Sequence, residues 1–510
     1  MGRYRNPILP GCHPDPSICR VGDEYFLVTS TFEYLPGLPV HRSTNLVDWE
    51  PIGHAIERSD QLDLSGLRSS CGLFAPTIRH HDGTFFVVCT VVAGAAGDAE
   101  EWGGRTGHFV VTATDPRGPW SDPIWLAGEG EIDPSLAFDD GRVWLCGTRL
   151  AQPGLWHHQT EVWLRELDPE TFAVIGDEHV LWHGAVEGAV WAEGPHLYRH
   201  PEGGWMLLAS EGGTFGEHAI SVAYADEITG PYRGDRGNPR LTHRDLGART
   251  DIWAVGHADL VDAADGRTWA VLLATGLRPD GGDSLLGRQT HLVPVDWEGG
   301  SPLFAPGVGR VQGEVDAEGV PDQVVGPDSF DDDFDGSLGL AWTGVRRMPH
   351  TFADTAVRPG FVRLRGGGEP TGLEDQSFLG RRLPAERVEA RAVLELSGAG
   401  RGGILLRVGD ERHLEVSVDD TGLARAVLVT GDGRAVFGEA AVDAGAPVEI
   451  ALRIDGADAE AVVSGASLGT ADLRGLSPVA AASFLGAWIG PFAAGEGHVD
   501  VDGLELRVLS

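Results

Sequence analysis

Residues 133–148 read DPSLAFDDGRVWLCGT. An aspartate precedes a proline, a short apolar run follows, an Asp-Asp-Gly turn reverses the chain, and an aromatic run leaves the turn. The glycine supplies the positive φ that a tight hairpin needs, and VWLC has the composition of a buried strand. The same order recurs on both sides. Upstream are DPSICRVGDEYFLVTS at 15–30 and APTIRHHDGTFFVVCT at 75–90. Downstream are GPHLYRHPEGGWMLLAS at 194–210 and HADLVDAADGRTWAVLLAT at 257–275. The five copies start about 60 residues apart, a self-similarity that marks a repeat array. Behind each hairpin lies a more polar strand pair, such as VHRSTNLVDWEPIG or ISVAYADEITGPYRG. Four strands per unit make one blade, so residues 1–312 are expected to form a five-bladed β-propeller.

Aligning the copies gives one position per blade: Asp15, Ala75, Asp133, Gly194 and His257, with Glu193 one residue before the fourth. The first strand of each blade lines the channel, so three acids and a histidine converge on one mouth of it. Either aspartate alone reads more simply as a turn cap beside proline. All three together point to acid–base chemistry, because crowded carboxylates raise each other's pKa and an idle scaffold has no use for that. Ala75 and Gly194 show that small residues serve the fold. Hydrolysis of a glycosidic bond uses one protonated carboxyl for the leaving oxygen and one carboxylate for water.

Beyond about residue 313 the repeat stops. Residues 313–328, polar and turn-rich, read as a linker. From 329 to 510, runs such as VEARAVLEL, HLEVSVD and PVEIALRID alternate apolar and polar residues, the pattern of an antiparallel β-sandwich. The chain is therefore expected to be all-β, a five-bladed β-propeller followed by an antiparallel β-sandwich.

Composition narrows the partners. The 510 residues carry 39 Lys and Arg against 76 Asp and Glu, a net charge of −37. Such a field repels nucleic acid and anionic lipid, whereas a neutral sugar is indifferent to it. Acidic surface also confers solubility without any further role. Cys12, Cys19, Cys71, Cys89 and Cys146 are odd in number and show no CxxC spacing, which fits neither a disulfide framework nor a zinc site. The opening MGRYRNPILPG lacks the apolar core of a secretory signal, so the expected location is a reducing cytoplasm.

The motifs also resemble a known family. NPILPGCHPDPSICRVGDEYFLVTSTFEYLPGLPVHRSTNLVDW, then EIDPSLAFDDGRVWL, AEGPHLY, SEGGT, GHADLV and LGRQTHLVPVDW, are similar in order and spacing to glycoside hydrolase family 43. That family contains β-xylosidases and α-L-arabinofuranosidases. The resemblance implies Asp15 as general base, Glu193 as general acid, and Asp133 as the residue that tunes and orients the acid. It implies hydrolysis by single displacement with inversion. It matches Arg288 to an arginine that reaches a sugar hydroxyl, where the plain alternative is a surface arginine.

Phe32 and Phe74 match positions that wall the pocket, although either ring could equally belong to the core; many members carry Trp where Phe74 stands. His257 matches a channel histidine, which serves either as a hydrogen-bond partner or as a contact of a calcium ion. No cofactor is required, and Ca2+ in the channel is the one the resemblance allows. The sandwich resembles the one that accompanies many xylosidases of the family, where one of its loops closes the pocket. Phe484 or Trp488, in SFLGAWIG, would supply that wall, although an aromatic interior to the sandwich reads more simply.

The resulting expectation is an exo-acting β-xylosidase on xylooligosaccharides, with α-L-arabinofuranosidase or dual activity as the alternative. A homo-oligomer is allowed. A non-catalytic sugar-binding propeller would be expected to lack one of the acids. Retaining fructoside-active propellers carry an Arg-Asp-Pro motif, and here the third blade reads IDP.

Overall fold

The turns of the repeat close as their residues require. Asp82 and Gly83 both take positive φ (47° and 77°), as do Asp140 and Gly141 (47° and 74°), the backbone of a two-residue turn that matches strand twist. The structure, a computed structural model, describes residues 2–94, 102–126, 128, 130–247, 250–278, 280–323, 329–398, 400–443 and 445–509.

Five antiparallel sheets follow in chain order. Their first strands are Ser17–Val21, Gly72–His81, Ile132–Asp139, Glu193–Arg199 and Ile252–Asp262. Each pairs outward to three more strands. In blade three these are Arg142–Leu150, Thr160–Leu167 and Val174–Trp182. Blade four adds the short strand Leu241–Thr242. First strands of neighbouring blades touch all the way round, the last against the first, so they enclose the axis. The blades adhere through apolar faces: Val28, Val40, Ile78, Val87 and Val111 are fully buried in one such cluster.

The ring is fastened by a pairing that the sequence hid. Gly2–Arg5 lies antiparallel to Glu314–Ala317. Asn6 and the Tyr4 hydroxyl both donate to the Leu292 carbonyl at 2.9 Å. The segment expected to be pure linker thus carries a strand. Its partner lies at the far end of the propeller chain, so no neighbouring hairpin signals it; residues 324–328 lie outside the described residues.

The second domain stacks two sheets, one built on Arg387–Ser397, His498–Val508 and Val448–Asp455, the other on Gly400–Gly409, Trp488–Gly495 and Arg412–Asp419. Alternation does the work here: Val388, Ala390, Ala392 and Leu394 face Leu414, Val416 and Val418 in one core. The sandwich is joined to the propeller. Gly344–Val345 pairs with Tyr34–Leu35, and the Tyr34 ring stacks on Trp488 at 4.0 Å. No helix among the described residues is long and apolar enough to cross a membrane.

Candidate active site

The five aligned positions share one backbone conformation. Asp15, Ala75, Asp133, Gly194 and His257 all have positive φ, from 26° to 58°. Four of the five first strands also shift register near that point, at 74/77, 132/135, 193/196 and 253/256. A bulge re-aims a side chain and ends regular pairing. For non-glycine residues this region costs on the order of 1–3 kcal/mol each, a strain that surrounding structure must hold in place. In blade four the position is glycine for a visible reason: a Cβ on Gly194 would stand 3.0 Å from the His257 ring. The acid of that blade therefore sits at 193.

Asp15 is buried and firmly held. The Ser30 hydroxyl donates to its Oδ2 at 2.6 Å, and Arg288 donates to Oδ1 at 3.0 Å. Burial pushes its carboxyl up. Arg288, His257 and the Ser30 hydrogen bond outweigh that and leave it below its ordinary value. Asp133 accepts from the Gly194 N–H at 3.0 Å. Burial, only partly offset by His257, together with the Asp15 charge, raises it to about 6. Glu193 is half-buried. Burial, then Asp133, then Asp15 push it well above the usual carboxylate range, and Arg288 opposes them weakly. The same surroundings thus lower one carboxyl and raise another.

Arg288 connects this cluster to an aromatic seam. It also donates to Thr214 Oγ1 at 3.1 Å and to the Phe484 carbonyl at 3.3 Å, and its buried Nε has no protein partner. Its guanidinium lies 5.3 Å from the Phe484 ring and 5.7 Å from Phe32. Phe32 stands 5.0 Å from Phe74 and stacks on Phe484 at 6.2 Å. Phe32 is buried, while Phe74 and Phe484 are half-buried. Of the two sandwich candidates, Trp488 is interior to the domain seam and Phe484 joins the propeller rings. Nothing in SFLGAWIG distinguishes them; domain docking does. Ser30 and Thr214 were not foreseen either, since serine and threonine beside strands carry no signal.

His257 lies 3.9 Å from Asp15 Oδ1, and its N–H donates to Ser210 Oγ at 2.5 Å. Calcium takes about six to eight oxygen ligands. Among the described residues no three His, Cys, Asp or Glu side chains are grouped to hold a metal, and the Asp15 oxygen nearest the imidazole already accepts from Arg288. This residue set does not fit a calcium ion held by protein ligands, and no step below is routed through one.

Residues 4–302 match the family model described as glycosyl hydrolases family 43. The chain belongs to that family. Residues 331–506 match a second model, the beta xylosidase C-terminal concanavalin A-like domain. Among relatives of this family 43 hydrolase is a xylosidase/arabinosidase of Butyrivibrio fibrisolvens, 40% identical over 81% of the chain and 79% of that protein. Another is a non-reducing end α-L-arabinofuranosidase of Bacteroides ovatus, 35% identical over 99% and 95%. The solved xylan β-1,4-xylosidase of Bacillus halodurans superposes with a TM-score of 0.90 at 29% identity, over 99% of this family 43 chain and all of that one.

Proposed function

We propose that the enzyme releases terminal β-D-xylose from xylooligosaccharides by single displacement with inversion. The observation that carries the reading is the opposed state of two carboxyls that feel each other's charge, Asp15 held below its ordinary value and Glu193 pushed well above its own. Asp15, gripped by Arg288 and Ser30, is the base that takes a proton from water. Glu193, held protonated by burial and by Asp133, donates to the leaving oxygen as the C–O bond breaks. Water bonds to the anomeric carbon from the opposite face. Asp133 acts through Glu193, and Arg288, anchored by Asp15 and Thr214, is the cation that reaches a sugar hydroxyl. The half-buried Phe484, from the sandwich, closes one side of the pocket and favours attack at chain ends.

The test is a comparison of kcat/KM on 4-nitrophenyl β-D-xylopyranoside and on the α-L-arabinofuranoside, with proton NMR of xylobiose hydrolysis during the first minutes. Inversion requires α-xylose to appear first. Cleavage of neither glycoside would sink the proposal. The printed names of the relatives support the arabinofuranosidase as second reading, because they include both activities.

Two further outcomes are expected. Asp133→Asn removes the largest charge effect raising Glu193. Glu193 then ionises at lower pH, and the alkaline limb of the kcat/KM profile moves down in pH; an unmoved limb would contradict the tuning role. Dialysis against EDTA should leave the rate unchanged, since the carboxylates suffice. A loss restored by Ca2+ would overturn that. We place the reaction in a reducing compartment, which suits an odd number of cysteines, all of them buried.

A further inference from the structure

Behind the aromatic seam lies a buried charged network that the chemistry does not use. Arg407 and Glu33 face each other across the two domains, both side chains 0% exposed, at 3.1 Å. Arg407 also donates to the Tyr34 hydroxyl at 2.8 Å, to Ser69 Oγ at 3.0 Å and to Asp410 Oδ1 at 2.7 Å. Asp410 in turn pairs with Arg346 and accepts from the Ser69 N–H and hydroxyl at 3.1 and 2.7 Å. The other Glu33 oxygen accepts from the Ser70 N–H at 3.1 Å. Two cations balance two anions.

The attachment points of this network are the neighbours of the three rings. Glu33 follows Phe32, which sits at positive φ (53°), and its carbonyl accepts from the Arg346 N–H at 2.7 Å. Ser69 and Ser70 lie just before the strand that carries Phe74. The Ser70 hydroxyl meets the Ser483 hydroxyl at 2.7 Å and accepts from the Phe484 N–H at 3.3 Å. Each ring of the seam therefore hangs from the same charged cluster. A buried ion pair is a poor source of stability, because apolar residues of similar volume often serve as well. What it supplies is fixed geometry.

We propose that the Glu33–Arg407 pair positions the Phe32, Phe74 and Phe484 wall, and through it sets affinity for the terminal sugar. This rests on the reading above, in which that wall borders the sugar pocket. Glu33 and Arg407 are positioning residues and touch no reacting atom. The effect should fall on KM more than on the proton transfers, since the hydrogen bonds of Glu33 and Arg407 reach neither Asp15 nor Glu193.

The experiment compares Glu33→Gln, Arg407→Met and the double variant Glu33→Gln/Arg407→Met, each as the full chain, on 4-nitrophenyl β-D-xylopyranoside. Each single change should raise KM about tenfold, equivalent to about 1.4 kcal/mol of binding, with kcat within about threefold and the pH profile unmoved. The double variant removes one charge of each sign and leaves Arg346 with Asp410. It should recover thermal stability while KM stays raised. A merely structural pair predicts that KM returns with stability, and that result overturns the proposal. So does a fall in kcat at constant KM. If the single variants do not fold, Ser70→Ala decides, because it cuts only the hydroxyl tether to Ser483 and Phe484: KM should rise several-fold, and an unchanged KM refutes the idea. If the wild-type enzyme cleaves neither glycoside, the functional reading fails first and this inference with it. If the wild type cleaves and KM never moves, only the positioning role is lost.

Discussion

Glu193→Ala should lower kcat/KM on xylobiose by about 10³-fold, the usual scale for losing a general acid. That corresponds to about 4 kcal/mol of transition-state stabilisation. The loss should depend on the leaving group. A xylose alkoxide departs badly without a proton, whereas 4-nitrophenolate needs far less help, so the nitrophenyl xyloside should suffer much less. The alkaline limb of the pH profile should vanish too, because the group whose ionisation shuts off the enzyme is gone. Stability should hold: Glu193 is half-buried, and losing a neutral acid leaves no charge without its counterion. Equal losses on both substrates would assign the leaving-group proton to another residue.

The second large effect is expected at the opposite carboxyl. Asp15→Asn keeps the shape, and its amide oxygen can still accept from Ser30 or Arg288. It cannot take a proton from water. On the proposed assignment kcat falls by about 10³-fold or more on xylobiose and on the nitrophenyl xyloside alike, since attack by water limits both. KM should change little, because Arg288 stays anchored by Thr214 and the Phe484 carbonyl. Steady-state kinetics on the two substrates, run beside the Glu193 variant, separates the roles: one loss tracks the leaving group and the other ignores it. Retention of more than about a tenth of wild-type turnover would remove Asp15 from the mechanism.

What was legible in the sequence was whatever is local or periodic. Each blade announces itself within fewer than about 20 residues, because a glycine-bearing turn and an aromatic run need no distant partner. The positions of Asp15 and Asp133 were legible for the same reason, since the repeat fixes their register, and Glu193 stands one residue ahead of the matching Gly194. The sandwich showed itself through alternation. Long-range docking stayed hidden. The strand Glu314–Ala317 pairs with residues 2–5, and Asp15 meets an arginine 273 positions away. Phe484 and Trp488 share one short motif, yet one borders the pocket and the other packs on Tyr34. The Arg407 cluster draws on five separate stretches of chain, and no charge pattern within any of them foretells the others.

The left-handed backbone shared by Asp15, Ala75, Asp133, Gly194 and His257 has a consequence for how such a protein changes. The ring acts as a tool-holder with five sockets of one backbone shape, and the one at Gly194 is closed to a side chain by the His257 ring. Asp15, Ala75, Asp133 and His257 already hold a Cβ in this conformation, so exchanging one side chain there for another asks no new shape of the backbone. The socket occupied by Ala75, the plainest bit of the five, is the natural place to fit a new one.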